Sequence, residues 1–160
     1  MAQAKDYIKS VYPLPSYNYR VTVLGDGGPT VISFSEVAGL SIQYEPVTYK
    51  HGFSFIMGPT IIPGMRQPVK LTLKKGLVKN NDFLQQWIDQ THSDPFSSGT
   101  KRDILIDLCD ETGLAVIRWT VKGALPTKLD APTLSANSNE VAIASLELIA
   151  NDLQFDYSPP

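Results

Sequence analysis

The side chains here that are capable of acid–base, nucleophilic or metal chemistry are two histidines, one cysteine and a few closely spaced carboxylates. Nucleophilic catalysis needs a base beside its nucleophile. His51 and His92 fall in no recognisable motif of that kind, and each reads as a polar loop histidine. Cys109 has no Cys or His neighbour in sequence, whereas a metal site or an activated thiolate needs such partners. It reads as a partly buried structural thiol. Asp103 and Asp107 share parity on an alternating segment, but at ~3.3 Å per residue their Cα atoms lie roughly 13 Å apart. That is too wide for two carboxylates working on one bond, so the pair reads as a solvated face. Gly25-Asp-Gly-Gly28 lacks both the spacing and the following helix of a phosphate-cradling loop and reads as a turn. No catalytic, cofactor-binding or metal-ligating residue is assigned, and a non-enzymatic protein without a cofactor is expected.

The elements around these residues are mostly strands. Tyr17, Tyr19, Val21 and Val23 alternate with Asn18, Arg20 and Thr22, the period of a half-buried strand, and the glycine-rich turn leads into a second strand over 30–34. Residues 34–40 (FSEVAGL) read as a short apolar turn and 41–49 as a strand, with Pro46 marking an edge or a bulge. Val69, Leu71 and Leu73 then face one way while Lys70, Thr72 and Lys74 face the other, up to Gly76. Residues 80–91 form the one convincing helix, with Asn80 or Asn81 as its N-cap and Phe83, Leu84, Trp87 and Ile88 on one stripe. A loop over 92–100 follows, then a hairpin of 102–109 and 114–121 through Asp110-Glu-Thr-Gly113. An extended surface loop is expected over 124–138 and a last strand over 141–149. The fold class is mainly β, a rolled antiparallel sheet or small β-barrel with one flanking helix, as a single domain over 1–160 with a core of about 12–153.

Two features point to self-association. The excursion 50–67 carries Phe53, Phe55, Ile56, Met57, Ile61, Ile62 and Met65, with Arg66 at its end. That is far more apolar surface than a solvated loop displays, so it is expected to bury against another copy of this protein, mobile in a free subunit and ordered in the assembly. Charge is also uneven. No acidic residue falls between Glu45 and Asp82, where Lys50, Arg66, Lys70, Lys74, Lys75 and Lys79 lie, while Asp103, Asp107 and Glu140 belong to an acidic second half. The basic stretch lacks the stacking aromatics of a single-strand binder, and head-to-tail pairing of unlike surfaces explains the asymmetry better.

Composition sets the remaining bounds. The 160 residues are 42% hydrophobic and 19% charged, which excludes disorder, and the net charge of −2 provides no global reason to expect nucleic acid. No apolar run approaches the ~20 residues that cross a bilayer, so no stable membrane insertion is expected. The first residues lack the apolar core of a secretory signal, which implies synthesis in the cytoplasm.

Taken in order, 12–15 (YPLP), 34–40 (FSEVAGL), Glu45 with Tyr49 and Gly52, Pro63-Gly64, 71–76 (LTLKKG), Phe83 with Trp87, 101–106 (KRDILI), Arg118-Trp119, Ala124-Leu-Pro126 with Lys128, and 139–143 (NEVAI) with Leu146-Glu-Leu148 resemble the tube proteins of contractile-tailed phages and extracellular contractile injection systems. The likeness spans about 12–153. It implies a rolled β-sheet subunit assembling into six-membered rings that stack as a hollow inner tube inside a contractile sheath. It also implies contact of the excursion with a neighbouring subunit or ring, and sheath, baseplate or hub and tube-terminating proteins as partners. Protein cargo or DNA would occupy the lumen of a phage tail-like particle released from the cell. Lys70, Thr72 and Lys74 are candidates for the lumen face, although a solvent-facing strand has the same pattern. Residues 52–58 (GFSFIMG) are more apolar than is usual in the family, which leaves open a main tube repeat or a tube-initiating paralogue. A monomeric β-barrel module binding a ligand or peptide is the alternative reading.

Overall fold

A computed structural model describes residues 2–25, 27–79, 82–97, 100–157 and 159. In chain order the elements are α1 (Ala2–Val11), β1 (Tyr19–Gly25), β2 (Gly28–Ile32), β3 (Glu36–Ala38), β4 (Val47–Tyr49), α2 (Ser54–Met57), β5 (Thr60–Ile62), β6 (Val69–Gly76), α3 (Phe83–Ser93), β7 (Arg102–Cys109), β8 (Ala115–Asp130), β9 (Ile143–Ala150) and β10 (Asp152–Asp156). The alternation in β1, β6 and β7 forms as expected, because strand pairing with one apolar face inward buries Val21, Val23, Val69, Leu71, Leu73, Ile104 and Ile106 together. In the β7–β8 turn the Asp110 carboxylate accepts from the Thr112 and Leu114 amides at 2.9 and 3.1 Å. Those bonds, led by one from the Thr112 hydroxyl, hold its pKa below the usual carboxylate value.

The large sheet runs β2-β1-β7-β8-β9-β6-β3, all pairs antiparallel, and β10 adds to β8. β8 joins two layers. Up to Ala124 it pairs with β7, with β10 alongside over residues 118–122, and from Leu125 onward it pairs with β9. The change of partner occurs at Gly123, whose φ of +66° favours glycine and whose missing Cβ would sit 2.7 Å from the Asn151 side chain. Bent there, the sheet folds its two apolar faces into one core. The end strands β2 and β3 are linked by residues 33–35, which cross the open side of the roll. Tyr19 donates its hydroxyl to the Phe34 carbonyl at 2.6 Å, and the Ser35 amide donates to Lys74 at 2.7 Å. β2 and β3 do not pair, so the roll is not a closed barrel, and the barrel form of the expected fold gives way to an open rolled sheet.

α3 closes one end of the core with Leu84, Trp87 and Ile88 buried. Trp87 donates Nε1–H to the Thr100 carbonyl at 3.0 Å, and the Arg102 guanidinium stacks 5.3 Å from both the Phe83 and Trp87 ring centres. The expected caps Asn80 and Asn81 lie outside the described residues. Asp82 holds the N-cap position without capping the backbone and instead accepts from Gln86 Nε2 at 3.0 Å.

Four other expectations need correction. Residues 34–40 contain a strand, β3, because Glu36, Val37 and Ala38 pair with Lys74, Leu73 and Thr72. The strand expected over 41–49 shrinks to β4 plus one bridge, Tyr44 to Arg66, since Pro46 lacks a donor. Part of the loop expected at 124–138 is the second half of β8, with Pro126 beside a register shift that accommodates it. α1, α2 and β10 complete the described elements, so α3 is not the only helix.

Candidate functional site

The excursion is an arm. Among the described residues β4 and β5 pair only with each other, Val47 with Ile62 and Tyr49 with Thr60, and α2 caps the tip. Phe53, Phe55, Ile56, Met57, Ile61, Ile62 and Met65 are all exposed, Phe55 by 82%, and β4 adds exposed Val47 and Tyr49, which sequence periodicity did not single out. Together these side chains present on the order of 1,000 Å² of apolar surface, roughly twice the largest patch a monomer ordinarily shows. No strand of the main sheet covers them among the described residues. Arg66 belongs to the arm's root rather than its surface: its guanidinium forms an ion pair with Asp152 and donates to the Leu153 carbonyl at 3.0 Å.

At the root, the Glu45 amide donates to Met65 and the Gln67 amide to Gln43. Gly64 makes this crossing possible, because a Cβ there would lie 1.7 Å from the Glu45 carbonyl oxygen. The Pro63-Gly64 pair was visible in sequence, but the close approach that requires glycine is a tertiary fact.

A second surface is the outward face of β3, β6, β9 and the second half of β8. Lys70, Thr72 and Lys74 do lie opposite the buried Leu71 and Leu73. Cross-strand register adds Glu147 beside Thr72, Lys128 beside Glu147, and Glu36 beside Lys74. Lys74 pairs with Glu36 at 3.2 Å and Lys128 with Asp130 at 3.3 Å, so three lysines face three carboxylates and the face is balanced in charge. Among the described residues this layer also has two unpaired edges. β3 pairs with β6 alone, and residues 125–130 of β8 pair with β9 alone.

The expected solvated pair of carboxylates is a structural feature instead. Asp107 is only 2% exposed because the register sets Arg20 on β1 and Arg118 on β8 opposite it. Arg118 donates through Nε at 2.7 Å and Nη2 at 3.2 Å, and Arg20 through Nη2 at 3.2 Å. Burial pushes the Asp107 pKa up, but the bonds from Arg118 and Arg20 outweigh it and hold the carboxyl below its ordinary value. Asp103 accepts from the Gly123 amide at 3.0 Å at the sheet's bend. Asp107 is therefore occupied within its own subunit, as are Arg66 and Lys74, and the expected pairing between basic and acidic halves of different subunits loses these members.

The remaining chemistry-bearing residues are scattered. His51 accepts from the Phe53 amide at 3.2 Å on the arm, His92 is exposed in the last turn of α3, and Cys109 is buried on β7. Among the described residues no group of three or more His, Cys, Asp or Glu is placed to hold a metal ion, and no helix is long and apolar enough to cross a membrane.

Residues 15–154 match the family described as T4-like virus tail tube protein gp19. Among solved structures, a chain of the extracellular contractile injection system PVC sheath-tube complex in the extended state is 32% identical, with a TM-score of 0.81 over 95% of this chain and 97% of that one. A chain of the anti-feeding prophage tube terminating cap is also 32% identical, with a TM-score of 0.79 over 92% and 93%. A chain of the anti-feeding prophage baseplate, 6-fold symmetrised, is 26% identical, with a TM-score of 0.80 over 91% and 96%. No curated protein matches. The open rolled sheet, the family match over nearly the whole length and the likeness to tube-bearing complexes agree: this chain belongs to the T4-like virus tail tube protein family and is a structural tube subunit.

Proposed function

We propose that this chain is the repeating subunit of a hollow inner tube, made of stacked six-membered rings inside a contractile sheath. One observation carries the reading: the layer β3-β6-β9-β8 has an outward face of balanced charge, interrupted by Ile143 and Ile149, and among the described residues an unpaired edge at each end. Strand direction alternates across it, so β3 and the second half of β8 run oppositely. Laying β3 of one copy along β8 of the next makes an antiparallel pair, and repetition carries the same alternation around a ring. Edge pairing also satisfies the open backbone groups that would otherwise invite aggregation. The face with Lys70, Thr72, Lys74, Lys128, Glu36 and Glu147 then lines the bore, where its balanced charge offers protein cargo or DNA no patch of one sign to adhere to. The arm supplies apolar contact between subunits or rings. The 6-fold symmetrised baseplate among similar structures supports six copies per ring, and the cap and the sheath-tube complex stand beside it. They also support sheath, terminating and baseplate proteins as partners, in a particle that acts outside the cell.

Size-exclusion chromatography and negative-stain microscopy of the purified protein test this. Rings with a central hole, stacking into tubes at high concentration, are expected. A species eluting near 17.6 kDa at every concentration refutes the reading and returns the monomeric binding module to consideration.

A further inference from the structure

We infer that Arg66 is a positioning residue: together with Asp152 it clamps the root of the arm to the corner of the sheet, so that a free subunit already holds the arm in the direction assembly uses. This rests on the reading of the arm as an assembly element and replaces the expectation of an arm ordered only on association. A two-stranded hairpin on its own is marginally stable and free to swing. At this root the backbone bonds are Glu45 to Met65 at 3.0 Å and Gln67 to Gln43 at 2.8 Å, around the Tyr44–Arg66 bridge. Gln67 Nε2 donates to the Glu45 carboxylate at 2.9 Å as a side-chain brace across them.

These bonds hold the two arm strands to each other, and the chain enters β6 only two residues on, at Val69. Arg66 adds a side-chain link from this root to the corner of the sheet. One guanidinium nitrogen pairs with Asp152, another donates to the Leu153 carbonyl at 3.0 Å, and the group sits 6.0 Å from the Tyr44 ring centre. A planar fork held on two different acceptors fixes direction as well as distance, which a single point charge does not. The receiving end is itself hydrogen-bonded. Asp152 Oδ1 accepts from the Leu153 amide at 2.8 Å, and the Asn151 amide donates to Lys122 at 3.0 Å beside the bend at Gly123. The arm is thus referenced to the place where the two layers of the sheet meet.

The direct test reads arm motion in the free subunit. Lys50, exposed near the arm's tip, is changed to Cys and labelled with a fluorophore, Cys109 being buried. Time-resolved anisotropy then compares the parent with Arg66→Ala and Asp152→Asn below the assembly concentration. In parallel, unlabelled proteins without the added cysteine are assembled and sedimented. Both clamp variants are expected to keep parental circular dichroism, to show a freer label, and to need at least about tenfold more protein to form tubes, because the arm's added freedom must then be given up on association. Arg66→Lys, which keeps the charge without the fork, is expected to behave like the Ala variant. Unchanged anisotropy, full rescue by Lys, or parental assembly of Arg66→Ala overturns the inference. So does unfolding of both clamp variants, which makes the contact part of the core fold. Failure of the parent itself to assemble refutes the tube reading, and the anisotropy comparison still decides the clamp.

Discussion

Changing Phe53 and Phe55 together to Ser removes two aromatic side chains from α2 and the turn before it without touching the core. In the subunit they are 65% and 82% exposed. At about 200 Å² per Phe side chain, they offer roughly 130 and 160 Å² for burial by a neighbour. Complete cover at ~25 cal/mol/Å² is worth about 3 and 4 kcal/mol, an upper bound. Interface anchors typically contribute about 2 kcal/mol or more each, so about 4 kcal/mol is the working figure, roughly a thousandfold in association. Folding is spared because both rings meet solvent in the folded subunit much as they do in the unfolded chain, and exposed substitutions of that kind stay within about 0.5 kcal/mol. The expected result is a soluble protein with parental circular dichroism and melting temperature that sediments as a small species at concentrations where the parent forms tubes. Tubes that still form normally place the aromatics outside the interface. A chain that fails to fold places them in its own core, contrary to their exposure.

Trp87→Ala should cost about 3–5 kcal/mol and sharply reduce soluble protein, since it empties the space of a buried indole and orphans the Thr100 carbonyl; a melting temperature within a degree or two of the parent refutes this. Asp107→Asn should destabilise by about 1–3 kcal/mol at neutral pH by removing the buried negative charge that Arg118 and Arg20 share. Because the folded-state pKa of Asp107 is lowered, its contribution is fully present above the unfolded value of about 4 and is lost as pH falls through the folded value, so the variant's acid unfolding limb should be shallower than the parent's; parallel limbs count against the network. Gly64→Ala should loosen the arm's root while the main sheet survives, detected as faster proteolysis within residues 45–65 with an unchanged melting temperature, and resistance equal to the parent's refutes the close approach.

What the sequence determined by itself is what period and composition encode. Alternation placed β1, β6 and β7 and assigned their inward faces, because a strand with one buried side must repeat every second residue. The 3.6-residue stripe located α3 around Trp87, and the surplus of apolar residues in 50–67 announced a surface needing cover, since no solvated loop retains that composition. Partnership was not legible. That β3 is a strand depends on β6 being there to pair with it, and the continuation of β8 past Pro126 depends on β9, so short or proline-bearing segments look like loops until their neighbours are in place. Asp107 looked like a solvent-facing carboxylate because alternation says which face a residue is on, not what covers that face; two arginines from strands distant in sequence bury it. Arg66 looked like part of a sticky loop, yet its partner Asp152 lies 86 positions away in the numbering of the chain. Register, bend and root are long-range properties, decided only when backbone hydrogen bonds pair residues that local pattern cannot connect.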